Sequence, residues 1–184
     1  MAFRRDNVLG FFRALSRAFF RRIEVSGLEN VPARGGGLVV AWHPNGVVDP
    51  VLLATQSPRP IVFGARHGLF AIPVLGGMMR ALGTVPIYRA ADAPSAGGAS
   101  TRDSDAERRA RNRQSLDALA SAMAQGQLCA LFPEGKSHDA PHLAELKFGA
   151  AKVFQRALQL TAAGDPAPVI LPVGLHYDDK SVFR

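Results

Sequence analysis

A chain of 184 residues carries one domain with a real core and is too short for two comfortable ones. Its 47% hydrophobic and 20% charged residues exclude a disordered polypeptide, and a single cysteine, Cys129, excludes an intramolecular disulfide and any multi-cysteine metal site. The net charge of +7, mostly arginine, fits contact with an anionic surface, either lipid or nucleic acid.

Residues 1–22 read as an amphipathic helix. Val8, Phe11, Phe12, Leu15, Phe19 and Ile23 share one face at helical spacing, and Arg13, Arg17 and Arg21 form a row opposite. Charges recur through the stretch, so it is not a signal peptide. The pattern is that of a helix lying in a bilayer interface, where each arginine near an anionic leaflet adds about 1 kcal/mol of attraction. A helix packed on the protein's own core has the same pattern. The two are compatible, with Leu9 and Phe20 left over for lipid. No segment reaches the roughly 20 apolar residues of a bilayer span. The uncharged stretch 69–79 is divided by Pro73 and suits a re-entrant, interfacial or buried segment.

After the first helix, Ile23-Glu24-Val25-Ser26-Gly27 alternates like a short strand, and 32–37 is a loop. Residues 38–42 form an apolar strand that runs into His43. Asp49 suits the N-cap of the next helix and Pro50 its first position. Strands are predicted at 60–64 and 84–88, followed by a polar loop over 90–103. Ser104 and Glu107 have capping-box spacing and open a helix in which Leu116, Leu119, Ala120 and Met123 share a face; Gly126 ends it. The strand at 128–132 holds Cys129 as an inert buried thiol, which fits a reducing compartment. A helix over 146–160 and a strand over 169–177 complete the chain. Strands alternating with helices predict an α/β fold, a largely parallel mixed sheet flanked by helices, with residues 23–184 as one domain behind the helix of 1–22.

Polar groups cluster where strands end: His43 after one, Arg89 after another, Glu134 after a third. In open α/β sheets such ends line the ligand crevice. A carboxylate bonded to one ring nitrogen of a histidine fixes the tautomer and frees the other nitrogen to take a proton from a substrate hydroxyl. His43 and Asp49 have the types for such a base, which contributes roughly 10²- to 10⁴-fold in rate. Taken alone, the two residues read more simply as a strand-end histidine and a helix cap. Gly135-Lys136-Ser137 ends like a phosphate-binding loop, but Ala130 stands where that loop requires glycine. Neither G-x-S-x-G nor G-x-G-x-x-G occurs. His138 and His142 beside Asp139 have metal-ligand spacing, but Pro141 between them argues against the helix that would align them.

Four segments taken together go further. His43-Pro44-Asn45-Gly46-Val47-Val48-Asp49-Pro50, Gly83-Thr84-Val85-Pro86-Ile87-Tyr88-Arg89, Phe132-Pro133-Glu134-Gly135-Lys136-Ser137-His138-Asp139 and Ile170-Leu171-Pro172-Val173 resemble the four ordered blocks of the glycerolipid acyltransferase superfamily. The resemblance covers about residues 25–184 and includes Leu146-Lys147-Phe148-Gly149-Ala150-Ala151. Five residues separate His43 from Asp49 where the usual block has four, and Gly-Lys-Ser-His-Asp stands where Gly-Thr-Arg-Ser is commonest. Both variants resemble a branch that includes fungal glycerol-3-phosphate acyltransferases. The usual third-block arginine is thus replaced by Lys136, a point charge without the bidentate fork.

The resemblance implies an O-acyltransferase of phospholipid synthesis. His43 would deprotonate the acceptor hydroxyl and Asp49 would orient His43. Arg89, Glu134, Gly135 and Lys136 would hold glycerol-3-phosphate or 1-acylglycerol-3-phosphate, and Pro172 would shape the acyl side. The donor would be acyl-CoA or acyl carrier protein, and no metal or organic cofactor is needed because the thioester arrives activated. A peripheral place on the cytoplasmic face of a membrane follows as an expectation. Family members continue past the fourth block, so a C-terminally truncated chain is expected. A catalytically inactive lipid- or acyl-carrier-binding protein of the same fold is the alternative. No nucleic-acid partner is expected, because the aromatics share one helix face and are not interleaved with basic residues on a sheet or groove.

Overall fold

The computed structural model describes residues 3–88, 105–138, 140 and 142–178. Its frame is a sheet of β1 (Gly37–Ala41), β2 (Ile61–Arg66), β3 (Val85–Ile87), β4 (Leu128–Leu131) and β5 (Val169–Val173) in the order β3-β2-β4-β1-β5. Every pairing is parallel, with Leu38 beside both Cys129 and Ile170, and Val62 beside Cys129. Parallel neighbours cannot be joined by hairpins. The crossovers are α2 (Val48–Gln56), α3 (Pro73–Ala81), α4 (Asp105–Ala124) and α5 (Gly149–Leu160), and α1 (Arg5–Phe19) precedes them all.

The central strands are apolar on both faces, as burial under helices on both sides requires. Leu38, Val62 and Cys129 point to one side, where Leu119, Ala120 and Met123 of α4 and Val153 and Ala157 of α5 cover them. Val39, Ala41, Ile61, Phe63, Leu128 and Ala130 point to the other and meet Leu53 of α2. Cys129 is fully buried, bonds the Leu119 carbonyl at 3.4 Å, and has its thiol pushed up to about 12 by burial. It is an inert core residue, as its apolar run suggested.

At the N-terminal edge of the sheet, a Cβ on Gly36 would fall well inside van der Waals contact of the Met123 carbonyl oxygen. Only glycine lets β1 start so close to the end of α4. Arg59 braces the same edge by donating to the carbonyls of Pro32 (2.7 Å), Gly35 (3.0 Å) and Gly126 (2.6 Å).

Two expectations differ from the structure, and the stretch 69–79 takes a form the sequence left open. Residues 23–27 form no strand; they lead into a 3-10 turn at Leu28–Asn30 that Gly27 opens at φ +77°. Asp49 does not cap α2, since its carboxylate is taken by other donors and Val47 holds the N-cap position. The stretch 69–79 is a 3-10 turn, His67–Ala71, followed by α3, whose Gly76 packs on the Phe70 backbone. The loop over 90–103 and the cap at Ser104 lie outside the described residues.

α1 packs on α2 and α3. Val8 and Ser16 are buried, while Phe11 and Leu15 stand 52% and 50% exposed. The apolar face read from the wheel is therefore split. One edge joins the protein and the other, with Phe11 and Leu15, faces outward.

Candidate active site

The site lies at the C-terminal edge of the sheet. β1 ends at Ala41, and two residues later the His43 ring stacks on Phe132, with ring centres 3.9 Å apart and planes 13° from parallel. His43 is 17% exposed and lines the pocket described below. Its Nδ1 lies 2.7 Å from Asp49 Oδ2. A carboxylate only accepts, so Nδ1 carries the ring proton and Nε2 is left basic.

Asp49 is fully buried. A buried carboxylate is costly unless it is hydrogen-bonded, and both Asp49 oxygens are engaged. Oδ2 also accepts the Asn45 N–H at 2.8 Å, and Oδ1 accepts the Tyr177 hydroxyl at 2.5 Å. The spacing of five residues works because the Val48 and Asp49 amides bond back to the Asn45 carbonyl at 2.9 and 3.2 Å. That turn starts α2 and swings Asp49 under the imidazole.

The 132–138 segment is fastened against this loop. Gly135, at φ +68°, makes the turn with its N–H on the Phe132 carbonyl at 2.9 Å. The Gly46 N–H donates to Ser137 Oγ at 3.0 Å, and the His138 N–H to the His43 carbonyl at 3.1 Å. Glu134 is 4% exposed, accepting from His138 Nε2 and, at 3.0 Å, from the Ala144 N–H. His138 Nδ1 accepts the Ala140 N–H at 3.3 Å, which puts the ring proton on Nε2. Burial alone would raise the Glu134 carboxyl, but the bonds from His138 and Ala144 and the charges of His138 and Lys136 outweigh it and hold the group below its ordinary value.

In front of His43 opens a pocket of about 450 Å³, within the range of small-molecule sites. Its walls are mainly apolar: Phe12 of α1, Val51 and Ala54 of α2, Phe63 of β2, and Leu75 and Met79 of α3 are among them. Arg66 and Lys136 supply positive charge.

Of the residues singled out in the sequence, the structure brings His43, Asp49, Gly135 and Lys136 together. Arg89 lies outside the described residues. Glu134 stands behind the pocket wall, turned to His138 and Ala144. Pro172 sits in β5 opposite Val40, away from the lining. Sequence reasoning missed Phe132, Arg66 and Tyr177 as parts of the site. All three follow or end a strand at the C-terminal edge, the same signal that drew attention to His43. Among the described residues no group of three or more His, Cys, Asp or Glu side chains is placed to hold a metal.

The model of the Acyltransferase family matches residues 22–176. The chain belongs to the Acyltransferase family. That membership takes in the whole sheet and every block on which the resemblance was read. Uncharacterised proteins of Mycobacterium tuberculosis and Mycobacterium bovis are 32% identical to this acyltransferase-family chain over 133 residues, which cover 67% of it and 30% of each relative. The chain thus matches less than a third of the length of those curated relatives. In fold it is similar to the crystal structure of the 1-acyl-sn-glycerophosphate (LPA) acyltransferase, PlsC, from Thermotoga maritima. The TM-score is 0.62 at 18% identity, covering 94% of this chain and 67% of that one. At that identity the likeness is one of fold.

Proposed function

We propose that this chain is an O-acyltransferase of glycerophospholipid synthesis, moving a fatty acyl group from a thioester to a hydroxyl of glycerol-3-phosphate or 1-acylglycerol-3-phosphate. The observation that carries this reading is a histidine–aspartate pair facing an apolar pocket with two cations in its lining.

In the proposed reaction His43 Nε2 takes the proton of the acceptor hydroxyl as its oxygen attacks the thioester carbonyl. Asp49 stabilises the imidazolium that forms. Collapse of the tetrahedral intermediate breaks the carbon–sulfur bond, and the proton passes from Nε2 to the leaving sulfur, giving an ester and a free thiol. The apolar walls suit an acyl chain. Lys136 and Arg66 suit the acceptor phosphate, with Arg89 as a further cation from the sequence. The donor is acyl-CoA or acyl carrier protein.

The membrane surface is part of the proposal. α1 turns Phe11 and Leu15 outward and carries the exposed Arg17, with the exposed Arg21 just past its end, while Arg13 donates to the Thr55 carbonyl at 3.3 Å; outward apolar groups and exposed arginines together are what a peripheral helix at anionic lipid requires. Among the described residues no helix is long and apolar enough to cross a membrane.

The test is an acyl-transfer assay that crosses both acceptors with both donors, using wild type and His43→Ala. Turnover with one pair, abolished in a folded His43→Ala protein, is the expected result. Binding of acyl-CoA or acyl carrier protein without any turnover would favour the inactive-binder alternative and sink the reading.

A further inference from the structure

The Asp49 carboxylate depends on a residue outside the four blocks. Oδ2 holds His43 and Asn45, and Oδ1 is met by the hydroxyl of Tyr177, 128 positions further along the chain. Tyr177 follows β5 at the C-terminal edge of the sheet, and its ring is half-buried beside that of Phe20, with centres 6.1 Å apart. Phe20 is the residue that ends α1, and it packs edge-on against Phe19 at 4.8 Å. One phenol thus joins the last strand, the first helix and the buried carboxylate.

We propose that Tyr177 is a positioning residue of the His43–Asp49 pair: its hydroxyl fixes the carboxylate plane so that Oδ2 stays in line with His43 Nδ1. This rests on the acyl-transfer reading above. Asn45 and His43 both grip Oδ2, so without a donor on Oδ1 the carboxylate is pinned at one oxygen and free to swing about its terminal bond. A second grip on Oδ1 removes that freedom, and with it the misaligned orientations in which the imidazole loses its partner. The phenol is suited to this task. Burial, together with the bond to Asp49 and the Asp49 charge, pushes it well above its usual value, so it remains a donor at any working pH. Tyr177 does not line the pocket. Its effect is transmitted through Asp49.

The test is Tyr177→Phe, which removes one oxygen and keeps the ring against Phe20. With the donor–acceptor pair that wild type turns over, kcat is expected to fall roughly 10- to 100-fold, the worth of one hydrogen bond to a charged group, with both KM values unchanged. The proton resonance of His43 Nδ1–H, assigned by its loss in His43→Ala, is expected to shift or broaden. A kcat within twofold of wild type, a loss expressed in KM instead, or an unchanged resonance overturns the proposal. Should Tyr177→Phe not fold, spectrophotometric titration of Tyr88→Phe protein, in which Tyr177 is the one remaining tyrosine, decides the matter. Ionisation at the ordinary tyrosine value in folded protein would mean that the bond to Asp49 does not exist. If wild type transfers no acyl group, the functional reading fails, while the resonance and the titration still judge the Tyr177 bond.

Discussion

Replacing Asp49 by asparagine removes a charge and leaves the shape, so it isolates what the charge contributes. Three donors converge on the carboxylate: His43 Nδ1–H at 2.7 Å, the Asn45 N–H at 2.8 Å and the Tyr177 hydroxyl at 2.5 Å. An asparagine offers one oxygen and one NH2, so it cannot accept on both sides. The Asn45 N–H can only donate, whereas the Tyr177 hydroxyl can rotate and accept. The amide oxygen therefore takes the Oδ2 place and the NH2 faces Tyr177. In that orientation His43 keeps its tautomer, and what is lost is the negative charge opposite the imidazolium. With charge centres roughly 4 Å apart and an effective dielectric near 20, that attraction is about 4 kcal/mol. At about 1.4 kcal/mol per factor of ten, kcat for Asp49→Asn is expected to fall about 10³-fold. The assay is the initial rate at neutral pH with both substrates saturating, beside a thermal melt. A fall smaller than about tenfold refutes the role given to the charge. A fall well beyond about 10⁴-fold in folded protein refutes the orientation argued here, because it requires the NH2 to face Nδ1 and drive the ring proton onto Nε2.

Removing the charge of Lys136 or Arg66 as methionine is expected to raise KM for the phosphate-bearing acceptor at least several-fold while leaving donor KM near wild type; equal effects on both substrates would take these cations out of the acceptor site. Because Glu134 is held below the ordinary carboxylate value of 4.5, its contribution to stability is complete above that value and is lost as pH falls from there through the lowered folded-state value. Urea melts of wild type and Glu134→Gln should therefore differ most near neutral pH and converge in acid, and a gap that is constant with pH contradicts the assignment. Gly36→Ala forces a methyl group onto the Met123 carbonyl and is expected to cost about 1–3 kcal/mol or more in a denaturant melt, with kcat of the folded fraction unchanged because Gly36 lies at the opposite end of β1 from His43. Replacing Phe11 and Leu15 together by serine should leave the protein folded with a modestly lowered melt, since both are half exposed, and should weaken flotation with anionic vesicles; the arginine part of that binding should weaken separately as salt rises. Equal flotation of the double variant and wild type would remove this edge of α1 from the lipid contact.

The strands were legible because they are short apolar runs, three of them leading to His43, Arg89 and Glu134, and the parallel sheet follows from their alternation with helices. His43 and Asp49 were legible because they lie six positions apart and the turn between them is local. Tyr177 was not, because its bond to Asp49 spans 128 positions and exists only once β5 lies beside β1. α3 was obscured by Pro73 and the pair Gly76–Gly77, which lower helix propensity; the structure uses Gly76 for close approach to Phe70 and Gly77 for contact with the Phe3 ring. The alternation of Ile23 to Gly27 looked like a strand because alternation reports a two-sided surface, whereas a strand also needs a neighbour to pair with. Glu134 belongs to a block whose residues are conspicuous, but sequence does not say which way a side chain turns. Here a buried carboxylate in the middle of that block draws His138 and the Ala144 amide inward, and its neighbours Gly135 and Lys136 reach the pocket instead.

α1 answers to two demands, and their geometry limits how the protein can meet a bilayer. Phe12 forms part of the pocket wall, and Phe20 at the end of the helix supports Tyr177 and through it Asp49. A helix that swung away to insert in lipid would open the pocket and free the phenol at once. Under the proposed membrane reading α1 must therefore bind in place, using the half-exposed Phe11 and Leu15 and the exposed Arg17 and Arg21. Val8 and Phe12 lie on the same helix about 100° or less from Leu15, so the edge that meets lipid borders directly on the edge that closes the pocket. An acyl chain leaving the bilayer beside α1 would then have little water to cross before reaching the apolar walls. Under that reading, Phe11 and Leu15 would set the pocket mouth at the depth of the acyl boundary, while Phe12 walls the pocket and Phe20 supports Tyr177.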